Sequence, residues 1–302
     1  MTSTPQRFGQ VAIVGLPNAG KSTLVNALVG VKVSIVSAKP QTTRSRITGI
    51  AHVDGTQMVL LDTPGIFDKP VGALGKAMHL SILESLGAID AVVLVLDAAS
   101  PPNKRATSLR RLENVLTEAG GGSKKLPLLL VLSKVDTIPK KDAMEVLQWA
   151  ATACPEAHSY YATAAVRGHG VADLGKTLAG LMPEGPWAYD PEQTSTLPLQ
   201  LLAAEMTREE VFRRLHQEIP YSLTVIPEAW EEGRHAATIR QQILVQRDSH
   251  KAMVIGKGGQ MLKAISIAAR TAIAELTGRP VHLFLHVKVA PGWEGDKRLG
   301  EN

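Results

Sequence analysis

The segment 15-GLPNAGKS-22 constrains this chain more than any other stretch. It has the spacing Gly, four residues, Gly-Lys-Ser. A strand-like apolar run, 10-QVAIVG-15, leads into it, and a helix-like run, 21-KSTLVNALVG-30, leads out. Glycines let backbone N–H groups approach phosphate oxygens without a Cβ in the way. The N-terminus of the following helix adds a positive dipole end and free donors. The flanks favour a phosphate-binding loop over a turn that merely caps a helix. Gly15, Asn18, Ala19, Gly20, Lys21, Ser22 and Thr23 are its candidate nucleotide contacts. Lys21 is placed to bind β- and γ-phosphates, which also makes it a catalytic candidate. The Ser22 hydroxyl is placed to ligate Mg2+.

Strand-like and helix-like segments alternate around this loop. The strand candidates 57-QMVLLD-62, 91-AVVLVLD-97 and 127-PLLLVLS-133 are continuous apolar runs, as expected where a parallel sheet is covered on both faces. Helices are expected near 76–87, 103–120 and 141–151. That order predicts an α/β fold with a mostly parallel, doubly wound sheet over residues 1–182. The stretch 183-PEGPWAYDPEQTST-196 is rich in Pro, Gly and small polar residues and reads as a linker. Residues 197–302 change pattern to α-β-β-α-α-β, an α+β domain. Its first helix spans about 198–217, with 207-TREE-210 fitting a capping box.

Further polar clusters fall at the ends of the first domain's strands. In 62-DTPG-65, Asp62 would hold Mg2+ and the Gly65 amide would meet the γ-phosphate, making Gly65 a catalytic candidate. Between this and the first loop lies 40-PQTTRSR-46. Thr43, or failing that Thr42, could reach the metal and take part in catalysis. After the strand ending at residue 133 comes 133-SKVD-136. Asp136 there can accept from both N1–H and the 2-amino group of guanine, a donor pair that adenine does not offer.

Charge is unevenly distributed. The chain carries +5 overall, but residues 234–302 hold eleven Lys/Arg against five Asp/Glu. A basic excess there suits a polyanion or, equally, a solvated face. Within it, Gly256, Lys257, Gly258 and Gly259 form a Gly-x-x-Gly turn between two helical segments. Such a turn can press its backbone against a nucleic acid. Arg247, Lys251, Lys263 and Arg270 lie nearby as candidate phosphate contacts. The single cysteine, Cys154, excludes an internal disulfide and fits a reducing compartment. No apolar run approaches the length of a membrane helix, and the N-terminus carries no secretory signal.

The runs GLPNAGKSTLVNALVG, PQTTR, DTPG and SKVD resemble those of the translation-factor-related GTPases. The QTTR segment, together with 239-IRQQILVQRDSHKAMVIGKGGQMLKAI-265 and 287-VKVAPGW-293, is similar to the Era family. The likeness covers roughly residues 8–295. It implies a P-loop GTPase domain followed by a type II KH domain. The implied activity is a GTP-hydrolysing switch using Mg2+ that binds the 3′ end of small-subunit ribosomal RNA and assists maturation of the small ribosomal subunit. It also implies a cytoplasmic monomer, with peripheral association at the inner membrane. Two positions depart from the family pattern. Ser133 stands where an Asn normally ties the base loop to the P-loop and, with Lys134, borders the base. Ala164-Ala165 stands where Ser-Ala is usual, with Thr163-Ala164 as a shifted alternative. Ile66 follows the DxxG, where Ras-like switches carry the water-positioning Gln. In related GTPases an Asn at the position of Asn18 helps to hold K+ near the phosphates, which makes Asn18 a catalytic candidate; bracing the loop is its other reading. An RNA-binding adaptor with a weakened nucleotide site is the competing function, and an ATPase is disfavoured by Asp136.

Overall fold

The computed structural model describes residues 5–35, 47–62, 89–118, 126–215 and 223–293. By their contacts these residues form two units, the first built on 5–34, 47–62, 89–118 and 126–196, the second on 197–215 and 223–293.

The first unit contains β1 (Arg7–Val14), α1 (Lys21–Val29), β2 (Ile47–Val53), β3 (Thr56–Asp62), β4 (Ala91–Asp97), α2 (Pro102–Glu118), β5 (Leu128–Ser133), α3 (Lys140–Ala153), β6 (Ser159–Ala162) and α4 (Val171–Leu181). The strands form one sheet in the order β2-β3-β1-β4-β5-β6. Every pairing is parallel except β2 with β3. Successive residues of a strand point to opposite faces. Val11 and Ile13 therefore pack with Leu24, Val25 and Leu28 of α1 and Leu174 and Leu178 of α4. Ala12 and Val14 pack on the other face with Leu109 of α2 and Val146 and Ala150 of α3. Two covered faces explain why these strands read as unbroken apolar runs. The helix expected near 76–87 lies outside the described residues. Cys154 is buried at the C-terminus of α3.

Residues 183–196 run along this unit rather than away from it. The backbone of Phe8 donates to Pro183 O, Gly185 to Gln6 O, Ile50 to Thr194 O and Thr196 to Thr48 O. The Gln57 side chain accepts from the Ala188 and Tyr189 amides and donates to Tyr189 O.

The second unit contains α5 (Leu199–Arg214), β7 (Leu223–Glu231), β8 (Ala237–Val245), α6 (Asp248–Ile255), α7 (Gln260–Thr277) and β9 (Val281–Val289). Its sheet order is β7-β8-β9, with β7 antiparallel to β8 and β9 parallel to it. The expected order α-β-β-α-α-β is present. Val225, Ile243 and Val287 face Val211 of α5, Val254 of α6 and Ile265 of α7. Along β9 the alternate residues His282, Phe284, His286 and Lys288 are exposed, so this sheet is covered on one face.

The capping box expected at 207-TREE-210 is corrected. α5 begins after Pro198, which puts these residues in mid-helix. Thr207 is buried and its hydroxyl donates to Gln241 Oε1 at 2.6 Å. Arg208 pairs with Glu205, and Glu210 pairs with Arg213 and Arg214. The pattern Thr-x-x-Glu arises here from a buried polar stripe one helical turn long. A cap would need free amides at a helix start, and none exist in mid-helix.

Candidate functional site

The phosphate loop connects β1 to α1, and its backbone shows why it needs these residues. Gly15 has φ +155°, and a Cβ there would lie 2.4 Å from the Val95 carbonyl oxygen. Gly20, at the start of α1, has φ +93°. Asn18 takes φ +63°, a left-handed conformation that Asn tolerates better than most residues. Ala19 is buried under the loop. Thr23 sits in the first turn of α1.

Lys21 is buried, and its ammonium donates to the carbonyls of Gly15 at 3.0 Å and Leu16 at 3.1 Å. The ammonium thus lies against the backbone of the loop itself. The Ser22 hydroxyl donates to Asp62 Oδ2 at 2.6 Å. The Ser34 hydroxyl reaches the same oxygen at 3.0 Å. Asp62 Oδ1 is buried and has no hydrogen-bond partner among the described residues. An orphaned carboxylate oxygen beside a hydroxyl is a hard-oxygen donor set, so these residues fit Mg2+ directly or through its water. Thr43, Thr42, Gly65 and Ile66 lie outside the described residues.

Ser34 carries no sequence signal for this role. Asn26 places it: the Asn26 amide accepts from the Val33 and Ser34 N–H groups and donates to Ser34 O. Asn26 thereby folds the chain leaving α1 back towards Asp62.

The candidate base-side residues lie at the ends of β5 and β6. Ser133 is buried, and its hydroxyl donates to Ala19 O at 2.5 Å. The tie between base loop and phosphate loop, which an Asn makes in related proteins, is here made by the shorter Ser. Lys134 has φ +57°. Its ammonium bridges Asn18 O at 2.6 Å and Asp97 Oδ2 at 2.7 Å. Asp136 sits in a tight turn, Val135–Thr137, with its carboxylate 3.2 Å from Arg167 Nε. Ala164 and Ala165 begin the neighbouring loop, which is closed by the pairing of Ala164 with His169. Thr163 is fully buried, and its hydroxyl is bonded to Leu132 O. That bond ties Thr163 to the sheet.

Ser133→Ala would leave the Ala19 carbonyl without this donor. An orphaned buried acceptor costs about 1–3 kcal/mol. GDP affinity, measured by calorimetry, is expected to fall by roughly tenfold, and Ser133→Asn should bind better than the Ala variant.

In the second unit α6 ends at Gly256, whose Cβ would lie 2.6 Å from Met261 Cβ, so only glycine fits. Gly258 and Gly259 take φ +58° and +77° with open space around them. Their turn carries Lys257 into solvent, and Lys263 and Arg270 are exposed on α7. Seven residues apart, these two lie on one helical face. None of the three pairs with a carboxylate among the described residues. Lys251 is half-buried on α6. Arg247 precedes the α6 N-terminus, and its Nε donates to His250 Nε2 at 2.7 Å.

His250 is buried. Burial first, and the Arg247 guanidinium second, hold its imidazole below the ordinary 6.5. A folded value below the unfolded one means that the unfolded chain takes up its proton first. The stability contributed by neutral His250 is therefore present above about pH 6.5 and lost as pH falls through the folded value. An NMR titration of His250 is expected to show a midpoint below 6.5; a midpoint at or above it would contradict the buried acceptor role.

Comparisons with known proteins agree with both halves. A sequence model of 50S ribosome-binding GTPases matches residues 10–134, and a KH-domain model matches residues 218–294. The GTPase Era of Afipia carboxidovorans is 45% identical over 294 residues, covering 97% of this chain and 92% of that one. The GTPase Era of Sinorhizobium medicae is 45% identical, with 97% and 92% covered. A crystal structure of a point variant of Aquifex aeolicus Era bound to GDP.AlF4- superposes with a TM-score of 0.86 at 33% identity, covering 98% of each chain. An Era complex with MgGDPNP and nucleotides 1506–1542 of 16S ribosomal RNA gives a TM-score of 0.84 at 34% identity, again covering 98% of each. A phosphate loop in the first unit, a Gly-x-x-Gly domain following in the chain, and this kinship along nearly the whole length make the chain a member of the Era family of GTPases.

Proposed function

We propose that this protein is a GTP-hydrolysing switch that binds the 3′ end of small-subunit ribosomal RNA and assists maturation of the small ribosomal subunit. The observation that carries the reading is the pairing, on one chain, of the Lys21–Ser22–Asp62 cluster with an exposed, basic Gly-x-x-Gly turn. The Era that holds MgGDPNP and a 16S RNA fragment supports the identity of both ligands.

In this reading Lys21 leaves the Gly15 and Leu16 carbonyls for the β/γ-phosphates, while the loop amides cradle them. Ser22, Asp62 and Thr43 hold Mg2+, which when bound neutralises phosphate charge. Asp136 accepts from the guanine edge, with Lys134 beside the base and Ser133 tying its loop to the phosphate loop. Gly65 meets the γ-phosphate. Ile66 cannot orient a water, so charge developing in the transition state needs another partner. Asn18, at the rim of the loop, is the residue for a K+ site. Equal turnover in Na+ and K+ would remove that role and leave Asn18 as a brace. Gly256–Gly259, with Arg247, Lys251, Lys257, Lys263 and Arg270, takes the RNA backbone. The reading puts the protein at work in the cytoplasm, and peripheral contact with the inner membrane is an extension of it. Among the described residues no helix is long and apolar enough to cross a membrane.

The test is competition at the nucleotide site with Mg2+ present. GDP and GTP should bind at least about a hundredfold more tightly than ADP and ATP, because adenine lacks the two donors that Asp136 accepts from guanine. No guanine preference would sink the switch and favour an RNA adaptor.

A further inference from the structure

Asp136, the carboxylate assigned to guanine, already faces a cation. Arg167 is the last residue of the short turn Ala165–Arg167 on the neighbouring loop. Its Nε lies 3.2 Å from Asp136 Oδ2, with the arginine side chain 71% exposed and the aspartate 25% exposed. The two sides differ in freedom. Asp136 is held by its turn: the Thr137 amide and hydroxyl both bond to Lys134 O, and the Val135 amide bonds to Thr163 O. Arg167 reaches across from a surface loop on a long side chain, so it is the partner that can move away.

The chemistry of the contact is specific. Guanine presents N1–H and a 2-amino group to this carboxylate, and these belong to a guanidine fragment within the base. A guanidinium offers the same kind of planar N–H donors to a carboxylate. Arg167 meets Asp136 Oδ2 through Nε alone, as a charge contact at 3.2 Å, and a base bonded to that oxygen would have to displace it.

We propose that Arg167 is an electrostatic latch on Asp136: it covers one oxygen of the guanine-recognition carboxylate when no base is bound and must leave before a guanine nucleotide binds. The proposal rests on the assignment of Asp136 to guanine. Arg167 is a positioning residue of the binding step, not a catalytic one. Its effect follows from the fraction of time that the latch is open, because apparent affinity scales with the competent fraction. Exposed ion pairs are weak, so the latch is closed only about half to four-fifths of the time, a two- to five-fold effect. The latched form cannot bind, so the effect sits in the association rate. The bound state has already lost the contact, so the dissociation rate is unchanged.

Stopped-flow binding of a fluorescent GDP to the full chain tests this in wild type, Arg167→Ala and Arg167→Gln. Both variants should associate about two- to five-fold faster at low salt, with the same dissociation rate. The difference should shrink towards nothing in about 1 M NaCl, where exposed charges are screened. Slower association, unchanged association or faster dissociation in both variants would overturn the latch, since Arg167 would then be a contact of the bound nucleotide or a bystander. A wild-type protein with no preference for GDP over ADP would overturn the guanine assignment itself, an outcome separable because it needs no variant.

Discussion

Replacing Lys21 with alanine is expected to lower kcat/KM for GTP by at least about a thousandfold, a loss typical of removing a charged group that meets a transferring phosphoryl group. Lys21 is held against the phosphate loop by the Gly15 and Leu16 carbonyls. Its removal takes away a charge-assisted donor from ground and transition states alike, so nucleotide affinity should also drop. The fold should persist, because the substitution removes two bonds to loop carbonyls while the Gly15 backbone geometry and the Ser133–Ala19 bond remain. Steady-state phosphate release with circular dichroism as a control checks both parts. Turnover within about tenfold of wild type would mean that the chemistry occurs elsewhere.

The second large effect is expected in the other unit. Gly258→Asp should reduce affinity for an RNA of the 16S 3′-end sequence by more than about tenfold while leaving GTP turnover by the isolated protein unchanged. Gly258 has φ +58°, and a Cβ there would meet open space, so the substitution does not clash. Asp tolerates this backbone region better than most residues. What changes is a negative charge where a phosphate must approach. Gly256→Ala is the contrasting variant, because its Cβ would strike Met261 and damage the fold. Lys257→Ala should weaken binding across RNA sequences and lower the salt slope by about 0.7, one phosphate's worth for a single strand. Fluorescence anisotropy across a salt series reads both effects.

The parts of the fold visible in the sequence are those where local pattern and tertiary role coincide. β1, β3, β4 and β5 are buried on both faces, so apolar runs mark them. The phosphate loop is visible because its glycines are demanded by backbone geometry, as the approach of Gly15 to Val95 O shows. β2, 47-ITGIAHV-53, is hidden by Gly49. A Cβ there would lie 2.8 Å from Val29, so the glycine is a packing device that happens to read as a strand breaker. Residues 183–196 read as a linker by composition, yet their backbone groups find partners on the first unit at Gln6, Phe8, Thr48 and Ile50. Composition records the lack of apolar periodicity; it does not record where hydrogen bonds go.

The candidate site divides the same way. Lys21, Ser22, Asp62 and Asp136 are legible from spacing, since each ends a strand, follows one closely or opens a helix. Ser34 is not, because only the Asn26 side chain brings it to Asp62. The contact between Arg167 and Asp136 is equally hidden, being made between two loops separated by α3 and β6. The departure at Ser133 reads as a lost tie in the sequence and is conservative in geometry, because a hydroxyl at the end of β5 already reaches Ala19 O.

The most direct test of a nucleotide-controlled RNA switch is the affinity of the full chain for the 16S 3′-end RNA, measured with Mg2+ in saturating GDPNP and again in saturating GDP. Tighter binding in GDPNP, by at least about tenfold, is the expected result and corresponds to about 1.4 kcal/mol of coupling between the two sites. Equal affinity in the two states would contradict the switch, leaving a GTPase and an RNA-binding domain that share a chain without controlling one another.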